Sequence, residues 1–181
     1  MGALVSVTRY PRQLCPEMVR FLVIVVAISA SLAACTQSDA AASAQASSLQ
    51  RQADKYAIDQ IEVNWHKASS TKDIKLMMSL WADNATFDVG TKTYTGKDQI
   101  RGFFVTAGPF RPENHWVSET PAYKVRITLN GDNGTLYFEC HYLDISTRQI
   151  MAVVSADSLV SRIKGRWLIT QSIAATPILG P

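Results

Sequence analysis

From His115 to Ala174 the chain reads almost entirely in steps of two. The segments "HWVSE", "AYKVRITL", "TLYFECHYLDI", "IMAVVSADSLVSRI" and "RWLITQSIA" alternate or run apolar and are parted by turn formers. Successive side chains of a strand point to opposite faces, so segments of this kind in succession dictate a sheet with one face turned to a core. Glycines in Asn130-Gly131-Asp132-Asn133-Gly134 and Lys164-Gly165 fall where reversals need positive φ, which makes neighbouring strands antiparallel. In "LYFECHYLD" the residues Leu136, Phe138, Cys140, Tyr142 and Asp144 share a face that is apolar until its last member.

The residues before this meander follow a different period. From about Leu49 to Ser69, Ile58, Ile61, Trp65 and Ala68 recur at steps of three and four, the pattern of an amphipathic helix, with His66 flanking the apolar side and expected to be solvated. "KDIKLMMSLWAD" predicts a shorter helix beginning near Asp73, with Ile74, Met77, Leu80 and Trp81 on one side. Beyond Asn84, "ATFDV" and "TKTYT" around Gly90 predict a hairpin with Ala85, Phe87 and Val89 on one face. "GKDQIRGFFVTAG" predicts a brief helix with Ile100, Phe103 and Phe104 inward. Helices first and a long antiparallel meander afterwards make an α+β domain with the helices on one face of a curved sheet.

The N-terminal third is of another kind. The apolar run Phe21–Ala34 follows Arg20 and is shorter than the about 20 residues of a membrane span, but suits a signal-peptide core. Met18 offers an alternative start that would leave a compact basic flank. Leu32-Ala33-Ala34-Cys35 resembles the lipobox of bacterial lipoproteins, which implies a diacylated Cys35 as the mature N-terminus, and an anchor of two or more acyl chains is stable. By the same resemblance Thr36 implies outer-membrane sorting, with the domain facing the periplasm. Residues 36 to about 48, "TQSDAAASAQASS", carry no large apolar group and are expected to form a tether. The bounds are then 1–34 for the signal, 35–52 for the lipidated cysteine and tether, 53–176 for the globular domain and 177–181 for a tail.

Charge and cysteine content narrow the partners. Three of the 18 basic and one of the 15 acidic residues precede Cys35, so the mature chain is near neutral and its lysines and arginines are scattered. That excludes a nucleic-acid partner. With Cys15 in the signal and Cys35 acylated, Cys140 stands alone without a disulfide partner. Glu139 and His141 at two-residue spacing lack a third ligand for a metal, and no glycine-rich phosphate loop or nucleophile motif is present, so neither cofactor nor metal is expected.

"AIDQIEVNWHKASSTKDIKLMMSLWADNATFDVG", "YTGKDQIRGFF" and "SADSLVSRIKGRWLI", in this order and spacing, resemble the helix, hairpin and last-strand signatures of the SnoaL-like branch of the NTF2-like superfamily, over roughly Ala53 to Ala174. The resemblance implies a cone with a pocket between helices and concave sheet, and a homodimer through the sheet's outer face. It also implies pocket walls that include Trp65, Phe87 and Tyr142. Asp157 matches the protonated oxyanion-hole aspartate of ketosteroid isomerase, and His115 a pocket histidine of scytalone dehydratase, whose second pocket histidine falls at Asp144. Other catalytic positions depart: the isomerase's base falls at Val89 and its tyrosine at Trp65, and the dehydratase's helix aspartate at Ser69.

Each candidate keeps an alternative. A carboxyl in an apolar pocket stays neutral and can donate to a developing enolate, but Asp157 also suits a strand aspartate bonded to a turn or to Arg162. His115 suits general acid–base work or a rim position. Asp144 suits a pocket acid beside His115 or the cap of the turn "DISTRQ". The expected function is therefore a membrane-anchored domain binding a hydrophobic or carbonyl-containing small molecule. The alternatives are a cofactor-independent lyase or isomerase using Asp157 and His115, and a non-catalytic envelope interaction module.

Overall fold

A computed structural model describes residues 16–106, 108–119 and 122–175, with side chains from Asp39 onward. Residues 1–15 of the expected signal, the expected tail from 176 and the side chain of Cys35 lie outside the described residues. The chain divides after Ser48 into two units. In the first, the backbone is helical from Pro16, the start of α1 (Pro16–Thr71). The Ala/Ser-rich stretch expected as a tether is therefore helical, with residues 39–47 exposed. Alanine, the best helix former, accounts for that without burial. Among the described residues, no helix is long and apolar enough to cross a membrane.

The second unit, from Leu49, holds the domain. The C-terminal part of α1 buries Ile58, Ile61, Trp65 and Ala68, as the three-and-four spacing requires. After Lys72, at φ 58°, comes α2 (Ile74–Ser79), whose Asp73 cap accepts the Leu76 amide at 2.8 Å. β1 (Trp81–Val89) then begins at Trp81, several residues before the period-two signal at Ala85. Gly90, at φ 60°, turns it into β2 (Lys92–Thr95), and α3 (Gly96–Thr106) buries Ile100 and Phe104. The remainder is β3 (Trp116–Ser118), β4 (Arg126–Asn130), β5 (Asn133–Asp144), β6 (Gln149–Ile163) and β7 (Arg166–Ala175).

These strands form one sheet in the order β2-β1-β7-β6-β5-β3, with β4 also paired to β5. The sheet is mixed: β1 and β7 run parallel, while the other pairs are antiparallel. Register shifts at Trp81/Thr86, Tyr142/Leu143 and Leu159/Val160 bend the strands. The helices pack on the concave face of this curved α+β cone.

An aromatic cluster fills the interior. Trp65 lies 5.4 Å from both Phe104 and Phe138 and 5.7 Å from Trp81, and Phe87 stacks on Phe104. Edge and offset contacts of this kind add about 0.5–1.5 kcal/mol each beyond the area they bury. A polar clasp ties α1 to the far strands: Asp54 meets Arg162 at 2.5 Å and accepts from Trp167 Nε1 at 3.3 Å.

Candidate functional site

Small side chains on β6 leave room for a cavity. Ala152, Val154 and Ala156 alternate along the strand toward the helices, and opposite them stand Trp65 of α1, Phe87 of β1 and Phe103 of α3. The space between measures about 240 Å³ and is closed further by Trp116, Cys140 and Tyr142. Its walls are overwhelmingly apolar, and among the described residues no charged side chain lines it.

The three expected catalytic groups do not meet at this cavity. Asp157 is exposed and lies with Leu159, Gln171 and Ile173 in a shallow groove elsewhere on the sheet, because it follows Ala156 and so takes the opposite side of the strand. The position expected for a buried acid is thus held by a methyl group. His115 is exposed ahead of β3, where its carbonyl accepts the Ile145 amide at 3.1 Å. Asp144 caps a turn: its Oδ1 accepts the Ser146 amide at 2.8 Å, the Thr147 amide at 3.2 Å and the Ser146 hydroxyl. The Ser146 bonds hold its pKa below the usual carboxylate range, the reverse of a pocket acid kept neutral. A charge on His115 is the smallest of the influences that lower Asp144.

A different set of polar groups is buried behind the cavity wall. His66, expected to be solvated, is fully buried, and its Nδ1 lies 2.7 Å from Ser118 Oγ. Its Nε2 lies 3.5 Å from Cys140 Sγ and 3.6 Å from Glu62 Oε2. Glu62 is nearly as deeply buried, and among the described residues its Oε2 has no hydrogen-bond partner. Burial, helped by the Asp59 charge, pushes the Glu62 carboxyl up to about 7. Burial likewise pushes His66 down to about 4 and the Cys140 thiol up to about 12. His66 and Cys140 are therefore neutral across the physiological range, whereas Glu62 is neutral below about 7 and ionised above it.

Sequence reasoning passed over Glu62 and misplaced His66, although a signal existed. Ile58, Glu62, His66 and Ser69 continue at steps of four and three beside the Ile61, Trp65 and Ala68 row, on a stripe wide enough to be inward throughout. Ser69 completes it, its Oγ lying 3.5 Å from Tyr142 Oη.

Glu139 and His141, on the other face of β5, are engaged separately. Glu139 accepts from Tyr137 Oη at 2.6 Å and faces Lys124 at 3.4 Å, whereas His141 faces Glu119 at 3.5 Å. Among the described residues, no three side chains are grouped to hold a metal ion.

The fold has many solved likenesses. An NTF2-like protein with a cystatin-like fold from Novosphingobium aromaticivorans superposes with a TM-score of 0.65 at 16% identity, over 75% of this chain and 89% of that one. An NTF2-like protein from Pseudomonas putida KT2440 gives 0.62 at 15% identity, over 72% and 98%. The hexachlorocyclohexane dehydrochlorinase LinA-type3 from Novosphingobium barchaimii LL02 gives 0.59 at 19% identity, over 74% and 95%. Identities this low carry the fold and nothing more. No curated protein matches the sequence. Residues 50–172 match the SnoaL-like domain, from the Trp65-bearing helix through every strand around the cavity, and the chain belongs to that family, within the NTF2-like superfamily.

Proposed function

We propose that the domain is a receptor for a small, neutral, mostly apolar molecule, which it takes into the cavity between α1, α3 and the concave sheet. The observation that carries this reading is the cavity itself: partly open, aromatic, about 240 Å³, and, among the described residues, without a charged side chain on its wall. Pockets for drug-sized ligands run from about 300 to 1,000 Å³, so the occupant is a compact one- or two-ring compound. A lyase or isomerase working through Asp157 and His115 is disfavoured, because Asp157 and His115 are both exposed and neither lines the cavity.

The test is a binding titration of compact neutral aromatics, read through quenching of the buried tryptophans. Saturable binding that is abolished by Ala152→Phe, a substitution placed to fill the cavity, is the expected result. Binding unchanged by that substitution would remove the cavity from the reading.

Lipid on Cys35 would hold this receptor at the outer membrane, facing the periplasm. The lipobox-like Leu32-Ala33-Ala34-Cys35 supports that location, and loss of fatty-acid labelling in Cys35→Ser is the outcome expected of it. Leu159 and Ile173, both about half exposed, support a homodimer through the outer face of the sheet.

A further inference from the structure

Lys72 stands where the chain leaves α1, in a backbone conformation that suits glycine. Its φ is 58°, and the Asp73 amide donates back to the Ala68 carbonyl at 2.9 Å, the bond that closes a helix end around a left-handed residue. A side chain is disfavoured there, because its Cβ crowds the backbone that glycine leaves free. The lysine side chain has a use that offsets this. Its ammonium donates to the Pro109 carbonyl at 2.7 Å and to the Arg111 carbonyl at 2.8 Å.

Those carbonyls belong to the stretch between α3 and β3. Here the described chain forms one short 3-10 turn (Gly108–Phe110) and joins no sheet ladder. Phe110 is buried against Phe104 of α3, Arg111 Nε donates to the Thr106 carbonyl at 2.8 Å, and the Asn114 amide donates to the Arg111 carbonyl at 3.1 Å. These contacts hold the stretch to itself and to α3, whereas Lys72 ties it to the end of α1.

The tied stretch borders the cavity. Trp65 and Phe87 of its wall are buried, whereas Val89, Pro109, Trp116 and Ala174 are partly exposed, so the cavity opens on the side where Pro109 stands. We propose that Lys72 is the pin of a gate: its ammonium holds the Gly108–Arg111 wall at the mouth of the cavity, and release of its two bonds sets how fast a small apolar molecule enters and leaves. This rests on the reading of the cavity as a ligand pocket. The chemistry suits a tie that opens and recloses, because a partly exposed ammonium on neutral carbonyls exchanges those bonds for bonds to water at modest net cost.

The experiment uses Lys72→Gly, which removes the ammonium and suits the backbone, and Lys72→Met, which keeps most of the stem. Hydrogen exchange of the 108–114 amides, followed on the full chain without ligand, is expected to be about tenfold faster in both, the size of one net hydrogen bond, with β5 and β6 unchanged. Stopped-flow tryptophan fluorescence with indane should then show association and dissociation faster by about the same factor, which leaves affinity within about threefold. Unchanged exchange at 108–114 would overturn the pin, and so would exchange accelerated throughout the domain, which would mark Lys72 as a brace of the whole fold. Faster exchange at 108–114 with unchanged indane rates would overturn the gate and leave the receptor reading standing. Failure of indane to bind the wild type would bring down the receptor reading, and the gate with it.

Discussion

Replacing Glu62 by glutamine should stabilise the domain at alkaline pH and do almost nothing at acid pH. The Glu62 carboxyl stands at about 7 in the fold against an ordinary 4.5, with burial as the main cause. Because the folded value is the higher one, the increment of stability is fully present below 4.5 and is lost as pH rises through about 7. At about 1.36 kcal/mol for each pH unit between the two values, ionised Glu62 costs the folded state about 3 kcal/mol at pH 8, but only about 1 kcal/mol at pH 5. Glutamine cannot ionise, keeps a carbonyl to accept the Ala122 amide that Glu62 accepts, and can turn its amide toward the His66 Nε2 lone pair.

His66 shapes the control experiment. Its value falls from 6.5 to about 4, again chiefly by burial, so its increment is present above 6.5 and is lost as pH falls through about 4. In the wild type the two slopes oppose, and stability should vary little between about pH 5 and pH 8. In Glu62→Gln the histidine slope stands alone, and stability should climb by about 3 kcal/mol from pH 4 to pH 8. Urea titrations across this range, with the slope of unfolding free energy against urea unchanged, read the effect directly. A gain at pH 8 no larger than the gain at pH 5 would refute the assignment of Glu62 as a buried, neutral acid.

Other substitutions probe the frame and the rejected site. Gly134→Ala should cost about 1–3 kcal/mol in urea unfolding, because a Cβ there would stand 2.5 Å from the Thr128 carbonyl oxygen, a backbone atom that cannot yield cheaply. At Asp54, burial raises the carboxyl but hydrogen bonds from Arg162, Trp167 and Gln50 outweigh it and hold the pKa below 3.8. Asp54→Asn should therefore lose about 1–2 kcal/mol near neutrality, and the loss should shrink as pH falls through the depressed value, where the wild type gives up the same increment. Asp157→Asn should leave ligand affinity within about twofold, as expected of an exposed position away from the cavity. A larger loss would return Asp157 to the site.

Residues with a clean period were legible before any coordinates. Ile58, Ile61, Trp65 and Ala68 announced the inward row of α1, and Leu136, Phe138, Cys140 and Tyr142 announced the inward face of β5; all are buried. The parallel pairing of β1 with β7 was not, since alternation tells which way side chains face and is silent about the neighbour. The start of β1 was misread because the apolar run Leu80, Trp81 and Ala82 is too short to separate a helical end from a strand. Asp157 was assigned by likeness to a distant enzyme. The run around it, Ala152, Val153, Val154 and Ala156, is apolar on both faces, so its own pattern supplied no phase to contradict that assignment.

The buried polar stripe of α1 escaped for a related reason, and its consequence reaches the cavity. A glutamate and a histidine count as solvated positions in a helical pattern, unless the stripe is allowed to be wide. Once inside, the histidine needs a partner, and β3 supplies it. The Ser118 amide donates to Ser70 Oγ at 2.8 Å, and Ser118 Oγ meets His66 at 2.7 Å. β3 is only three residues long and lies at the sheet edge, so its ladder to β5 alone is a weak hold. The α1 hydrogen bonds therefore fix the strand that carries Trp116 to the cavity wall. Polar groups that touch no ligand thus set the shape of an apolar pocket, which is why the wall can be almost free of polar atoms and still be held in one place.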